Sequence, residues 1–245
     1  MEAVTVCPDL DALGKAAAGF FARLADEYVT KKGRFTVALS GGGTPSTLYH
    51  YLSRPPLSGE IPWGGIILFW GDERCVPPDH PDSNFGMANE RLLSKVPVPS
   101  ENIFAFPMKI ADPQAAALAY EKTIMDCFDP DEDEIPSFDL MILGLGTDGH
   151  TASLFPGTPA LKEETAWVLA NPVEKLGKIR LTLTYPLMNQ AKNILFLAAG
   201  KEKAPIIKTL LSPERLNSPY PAAQVAPVRG QRYFFIDDAA ADALS

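Results

Sequence analysis

Three short segments concentrate the residues able to do chemistry. The first is Ser40-Gly41-Gly42-Gly43-Thr44-Pro45-Ser46. Glycines let the backbone approach a ligand closely and take dihedrals closed to other residues. Thr44 reads as a helix N-cap and Pro45 as the first helical residue. The free N–H groups and dipole of that helix would then face the loop and favour an anion such as phosphate. The segment lacks the Gly-Lys-Ser/Thr ending of a nucleotide-binding P-loop, which excludes an NTPase. The second segment is Gly71-Asp72-Glu73-Arg74-Cys75-Val76-Pro77, followed by His80 and Ser83-Asn84. It sets two acids and an arginine directly after an apolar run. The planar fork of Arg74 suits a carboxylate, a phosphate or a developing oxyanion; an internal ion pair holding the loop is the plainer alternative.

The third segment, residues 144–153, contains Gly144-Leu145-Gly146-Thr147-Asp148-Gly149, a literal GxGxxG. A dinucleotide site needs a long helix next and then a strand ending in an acid about twenty residues on. Pro156 and Gly157 cut any helix short, and the next strand ends at Asn171, so a nicotinamide site is excluded. What remains is Asp148-Gly149-His150-Thr151. A histidine with an acid nearby to fix its tautomer or raise its basicity is the composition of a general base. A histidine in a polar turn, with Asp148 as a cap, fits the same residues. Arg180, Lys201 and Lys203 are cations on or just after later strands, and Lys201 reads as solvent-exposed.

These loops need strands to carry them. Short apolar runs at residues 4–7, 35–39, 66–70, 103–106, 138–143, 167–170, 179–182, 194–199 and 233–236 read as strands. Helical periodicity covers 10–28, 45–52, 83–93, 113–128 and 201–211. The acidic run 129–134 and the Pro-rich run 212–221 read as loops. Strands of four to six apolar residues separated by helices imply an α/β chain with a mostly parallel sheet covered on both faces. Ligands of such sheets bind beyond the carboxyl ends of the strands, where all three segments fall. No repeat or linker-like shift divides the chain, so residues 1–245 are expected to form one domain.

Composition sets the outer bounds. The 245 residues are 46% hydrophobic and 21% charged, with net charge −8 and pI near 4.9. That balance excludes disorder and disfavours a nucleic-acid or anionic-membrane partner. Cys7, Cys75 and Cys127 are odd in number and widely spaced, so neither a disulfide framework nor a zinc site is expected. Without a visible secretory signal or an apolar run of membrane-spanning length, the expected location is the cytoplasm.

The three segments, in this order and together with Ile179-Arg180-Leu181-Thr182-Leu183-Thr184, Gly200-Lys201-Glu202-Lys203-Ala204 and Pro221-Ala222-Ala223, resemble the glucosamine-6-phosphate isomerase/6-phosphogluconolactonase family. The block from Leu145 to Pro156 is the most specific. Arg74 and the Thr151-Ala152-Ser153-Leu154-Phe155-Pro156 tail match the lactonases of the family and not its deaminases. Residues 171–178 depart from the family's usual proline-rich approach to Arg180.

The resemblance implies a three-layer α/β/α fold of the deaminase and ribose-5-phosphate isomerase type. It further implies hydrolysis of a phosphorylated sugar lactone, with no metal or organic cofactor. Gly41, Gly42, Gly43 and Thr44 would hold the phosphate, with Lys203 and Arg180 adding charge. His150 would act as general base, Arg74 would steady the oxyanion, and either Asp148 or Asp72 would orient the imidazole. A monomer or weak homo-oligomer is expected. The rival readings are a deaminase of the same fold and a sugar-phosphate sensor without turnover.

Overall fold

The computed structural model describes residues 2–131 and 134–244. The strands among the described residues run in the order β1 (Glu2–Cys7), β2 (Phe35–Leu39), β3 (Ile66–Trp70), β4 (Asp72–Arg74), β5 (Leu140–Gly144), β6 (Val168–Val173), β7 (Lys178–Leu183), β8 (Asn193–Ala198) and β9 (Gln231–Asp237). The α-helices among them are α1 (Leu10–Lys32), α2 (Gly43–Leu52), α3 (Leu57–Glu60), α4 (Asn84–Arg91), α5 (Pro113–Phe128), α6 (Tyr185–Met188), α7 (Ala204–Leu210) and α8 (Asp238–Ala241).

Local chemistry explains the long helices. Asp9 caps α1 by accepting from the Ala12 N–H at 2.8 Å, and Gly33 ends it at φ 75°. Asp112 caps α5, Pro113 occupies its first turn, and Asp129 closes it at φ 45°.

Six strands form a parallel sheet in the order β1-β9-β8-β5-β2-β3. Its register fixes the layers. Phe35, Tyr233 and Phe235 share one face and meet α1, with Phe21 at 5.4 Å from Phe35 and Phe20 at 4.6 and 5.4 Å from the other two rings. Phe69 points to the opposite face, where Tyr120 and Phe128 of α5 meet it at 6.2 and 5.9 Å. Helices therefore cover both faces, giving a three-layer α/β/α arrangement.

Two expectations about strands change. Residues 167–170 and 179–182 are strands, yet they leave the parallel sheet. As β6 and β7 they join β4 in a separate three-stranded antiparallel sheet, ordered β4-β7-β6. The chain crosses between the sheets at Gly71, whose N–H donates to Leu39 O at 2.8 Å and whose carbonyl accepts from Leu183 N at 2.9 Å. Residues 103–106 make no strand, only a single bridge from Ile103 to Leu68. A 3-10 turn (Ser100–Asn102) immediately before and Pro107 immediately after leave no room for a longer ladder. The acidic run 129–134 lies partly outside the described residues, and its described part is neither helix nor strand. Among the described residues, no helix is long and apolar enough to cross a membrane.

Candidate active site

The carboxyl ends of β2, β3, β5 and β8 converge on one cleft of about 380 Å³. Ser40, the glycine loop, Asp72, Arg74, Asn84, His150 and Lys203 line it. An adjoining cleft of about 320 Å³ shares Asp72, Arg74 and His150 with the first and adds Asp148, Lys175 and Arg180.

The glycine loop leaves β2 through Ser40. The buried Tyr49 hydroxyl donates to Ser40 O at 2.7 Å and accepts from Ser40 N at 3.1 Å, which ties the loop to α2. Burial pushes that hydroxyl well above the ordinary tyrosine range, so it stays a neutral donor.

The helix starts two residues earlier than the threonine–proline pair implies. Gly42 is the cap, at φ 98° and ψ 168°, and Thr44 is already helical. Only glycine takes that cap geometry without strain. Helical bonding begins with Ser46 N donating to Gly42 O at 3.1 Å. The N–H groups of Gly43 and Thr44 consequently lack a helical acceptor and stand at the positive end of the dipole.

Gly41 is required for a different reason. A Cβ there would fall 1.8 Å from Asn84 Oδ1, whose own amide donates to the Asp72 carbonyl at 2.9 Å and its carboxylate at 3.2 Å. Gly41→Ala is expected to lower kcat/KM by at least about tenfold, because an ångström of misplacement of a bound substrate costs about that much or more even when the change lies away from the chemistry. Steady-state kinetics on the folded variant checks this; wild-type kcat/KM would show that the loop position is immaterial.

Arg74 and its neighbours are set by a buried acid. Glu73 is 2% exposed and accepts from the N–H groups of Arg74, Asn84 and Phe85 at 2.7 to 2.8 Å. Burial pushes its carboxyl upward, and these three donors hold it back in part. Glu73 thus anchors the first turn of α4 to β4. The Arg74 guanidinium reaches the Asp82 carbonyl at 2.6 Å, and Arg74 lines both clefts.

His150 is held on three sides. Its Nδ1 lies 2.5 Å from Asp148 Oδ1, and its ring stacks on Phe155 with centroids 4.0 Å apart. Behind it, Gly149 sits against the Tyr220 ring and accepts at its carbonyl from Ala222 N at 2.9 Å. Gly146 leaves room for the pair, since a Cβ there would lie 2.0 Å from His150 Nδ1. No hydrogen bond from the described residues reaches Nε2. Ala152, at φ 46°, turns the chain beside the histidine in a conformation that non-glycine residues rarely adopt.

Between the two carboxylates that could orient the imidazole, Asp148 is the one in contact. Asp72 is engaged elsewhere, accepting from Ser153 Oγ at 2.6 Å and from Asn84. The structure brings the glycine loop, Asp72, Arg74, His150 and Lys203 to one cleft. Arg180 stands opposite Arg74 in the β4–β7 register and lines the adjoining cleft, away from the glycine loop. Lys203 is aimed by the Gly200 turn, whose N–H both Asp237 carboxylate oxygens accept at 3.0 and 3.1 Å.

Sequence reasoning missed Lys175, whose ammonium contacts Asp148 Oδ2. The two are 27 residues apart, in a stretch whose local pattern gives no sign of the contact. Among the described residues no group of three or more His, Cys, Asp or Glu is placed to hold a metal ion.

Fold and cleft together define an α/β/α enzyme with a histidine–carboxylate pair beside a glycine-lined helix start. Residues 8–234 match the family model described as glucosamine-6-phosphate isomerases/6-phosphogluconolactonase. The chain is 38% identical over 244 residues to a 6-phosphogluconolactonase of Nostoc sp., covering 100% of this chain and 99% of that one. It is 42% identical over 216 residues to a 6-phosphogluconolactonase of Synechocystis sp., covering 88% and 87%. The solved structure of 6-phosphogluconolactonase from Trypanosoma brucei superposes with a TM-score of 0.87 at 29% identity, covering 100% of this chain and 99% of that one. The chain belongs to the glucosamine-6-phosphate isomerase/6-phosphogluconolactonase family.

Proposed function

We propose that this enzyme hydrolyses 6-phosphoglucono-1,5-lactone to 6-phosphogluconate, the ring-opening step of the oxidative pentose phosphate pathway. One observation carries the chemistry: His150, tied through Nδ1 to Asp148, lines the same cleft as the unsatisfied N–H groups of Gly43 and Thr44. The substrate matches that arrangement, with a dianionic phosphate at one end and an ester carbonyl at the other.

The glycine loop and Lys203 hold the phosphate. Anchoring the far end places the carbonyl carbon near His150, so remote binding energy serves the reaction. Neutral His150 takes a proton at Nε2 from water as the oxygen adds to the carbonyl carbon. The negative charge that develops on the former carbonyl oxygen is met by Arg74. The tetrahedral intermediate collapses with cleavage of the bond to the ring oxygen. The imidazolium returns its proton to that oxygen, and the new carboxylic acid ionises to solvent. Arg180, in the adjoining cleft, adds positive potential beside Arg74.

The test is hydrolysis of freshly generated lactone against its spontaneous opening, with and without EDTA. A large acceleration that EDTA leaves intact is expected. Ammonia release from glucosamine-6-phosphate at a comparable rate would place the chain on the isomerase side of its family. Saturable binding without turnover would make it a sensor. A second expectation concerns the anchor: Lys203→Ala should raise KM for the phosphorylated lactone by roughly ten- to hundredfold with a smaller change in kcat, since a charge-assisted contact is worth about 1.5–3 kcal/mol. Equal losses on a lactone without phosphate would remove Lys203 from that role.

A further inference from the structure

Lys175 touches two of the groups that hold His150. Its ammonium contacts Asp148 Oδ2, the oxygen that the histidine does not use, and lies 4.8 Å from the centroid of the Phe155 ring on which the histidine stacks. The residue sits in the 3-10 turn Glu174–Leu176 between β6 and β7, so the small antiparallel sheet delivers it to a loop that leaves the large one. Its side chain is half exposed. We propose that Lys175 is a positioning residue of this site: it fixes the Asp148 carboxylate so that His150 faces the cleft as a neutral imidazole with Nε2 free.

The physical reason lies in the charge balance around the ring. A lone carboxylate beside a histidine stabilises the imidazolium, and an imidazolium cannot accept a proton from water. An ammonium on the second carboxylate oxygen offsets that bias and also stops the carboxylate from rotating. Asp148 itself is held far below the usual carboxylate range: burial pushes it up, but the bonds from Lys175 and His150 outweigh that. The other charged groups facing this pair are Asp72 and Arg74 from β4, Arg180 from β7, and Glu202 and Lys203 after β8. Among the described residues, Lys175 is the cation side chain in direct contact with Asp148. The inference rests on the base role of His150 proposed above.

The experiment is an NMR titration of the histidine ring signals in the substrate-free full chain. The chain has three histidines, so His50 and His80 serve as internal references. In Lys175→Met the His150 midpoint is expected to rise by roughly one pH unit, the usual size of a single neighbouring-charge effect, with the reference histidines unmoved. Lys175→Arg should titrate like the wild type. The acid limb of kcat/KM on the lactone should move by the same amount in Lys175→Met, with KM on the plateau unchanged. An unmoved His150 midpoint overturns the proposal, and a raised KM with an unmoved midpoint reassigns Lys175 to substrate binding. A shifted midpoint in a protein that does not hydrolyse the lactone would sink the functional reading while leaving this coupling in place.

Discussion

His150→Ala is expected to lower kcat on the phosphorylated lactone by about 10²–10⁴-fold while leaving KM within about twofold of the wild type. The two parameters separate because the two ends of the substrate meet different parts of the cleft. In the mechanism proposed above, the phosphate end is gripped by backbone donors at the start of α2 and by Lys203, which line the cleft apart from the imidazole's contacts with Asp148 and Phe155. In the same mechanism the carbonyl end meets Arg74 and His150, so removing the ring leaves the proposed oxyanion partner in place. A residual rate above the spontaneous background is therefore part of the expectation, since charge stabilisation and positioning survive. The side chain is about 30% exposed, so the variant should fold. Stopped-flow proton release, measured against buffer alone, reads kcat directly. A kcat close to wild type would remove His150 from the chemistry, and a large rise in KM would turn it into a binding residue.

The sequence displays the parallel sheet well because its strands are continuous apolar runs with glycine or polar loops at their ends. Both β2 and β3 fall on the residues their patterns indicate, and α5 is bounded by Asp112-Pro113 at one end and Phe128 at the other. The second sheet is legible only in part. Its middle and outer strands are apolar enough to see, but nothing local says which strand pairs with which. Its third strand is Asp72-Glu73-Arg74, three polar residues without alternation, extended because Glu73 is buried under three N–H groups and not because of any pattern.

The site shows the same division. His150, Arg74 and the glycines announce themselves by residue type and spacing. Whether Asp148 or Asp72 faces the imidazole is a question of distance, and the residues leave it open. The helix cap shifts from Thr44 to Gly42 because the loop needs a left-handed turn more than it needs a side-chain oxygen. Lys175 is silent in the sequence since its partner belongs to another sheet's loop.

At the far end of the sheet from the cleft, Asp139→Ala is expected to destabilise the fold by about 3–5 kcal/mol, a sizeable part of the roughly 5–15 kcal/mol typical of a domain. The carboxylate has no exposed side-chain surface and immediately precedes β5. It accepts from Thr36 N and Thr36 Oγ1, both at 2.9 Å, from Lys32 at 2.7 Å and from Lys192 at 3.0 Å. One side chain thus joins α1, β2, and the approaches to β5 and β8. The lysines are partly exposed, at 31 and 45%, and can turn back to water when the acid is gone. Burial already weighs against the charged form of Lys32, with its amine held below the usual lysine range.

The larger part of the loss comes from Thr36, which is 1% exposed: its backbone N–H and its hydroxyl proton both lose their acceptor, and the hydroxyl oxygen keeps only the residue 139 backbone N–H at 3.1 Å. Each such buried group costs about 1–3 kcal/mol. An exposed pair gives the contrast: Lys122 and Asp126 lie 2.8 Å apart on the surface of α5, where such an interaction is worth only about 0.3–0.5 kcal/mol. Urea unfolding of Asp139→Ala and Asp126→Ala side by side should separate the two by several kcal/mol, with kcat per folded molecule unchanged in both. Similar midpoints for the two variants would show that the buried cluster contributes no more than a surface ion pair.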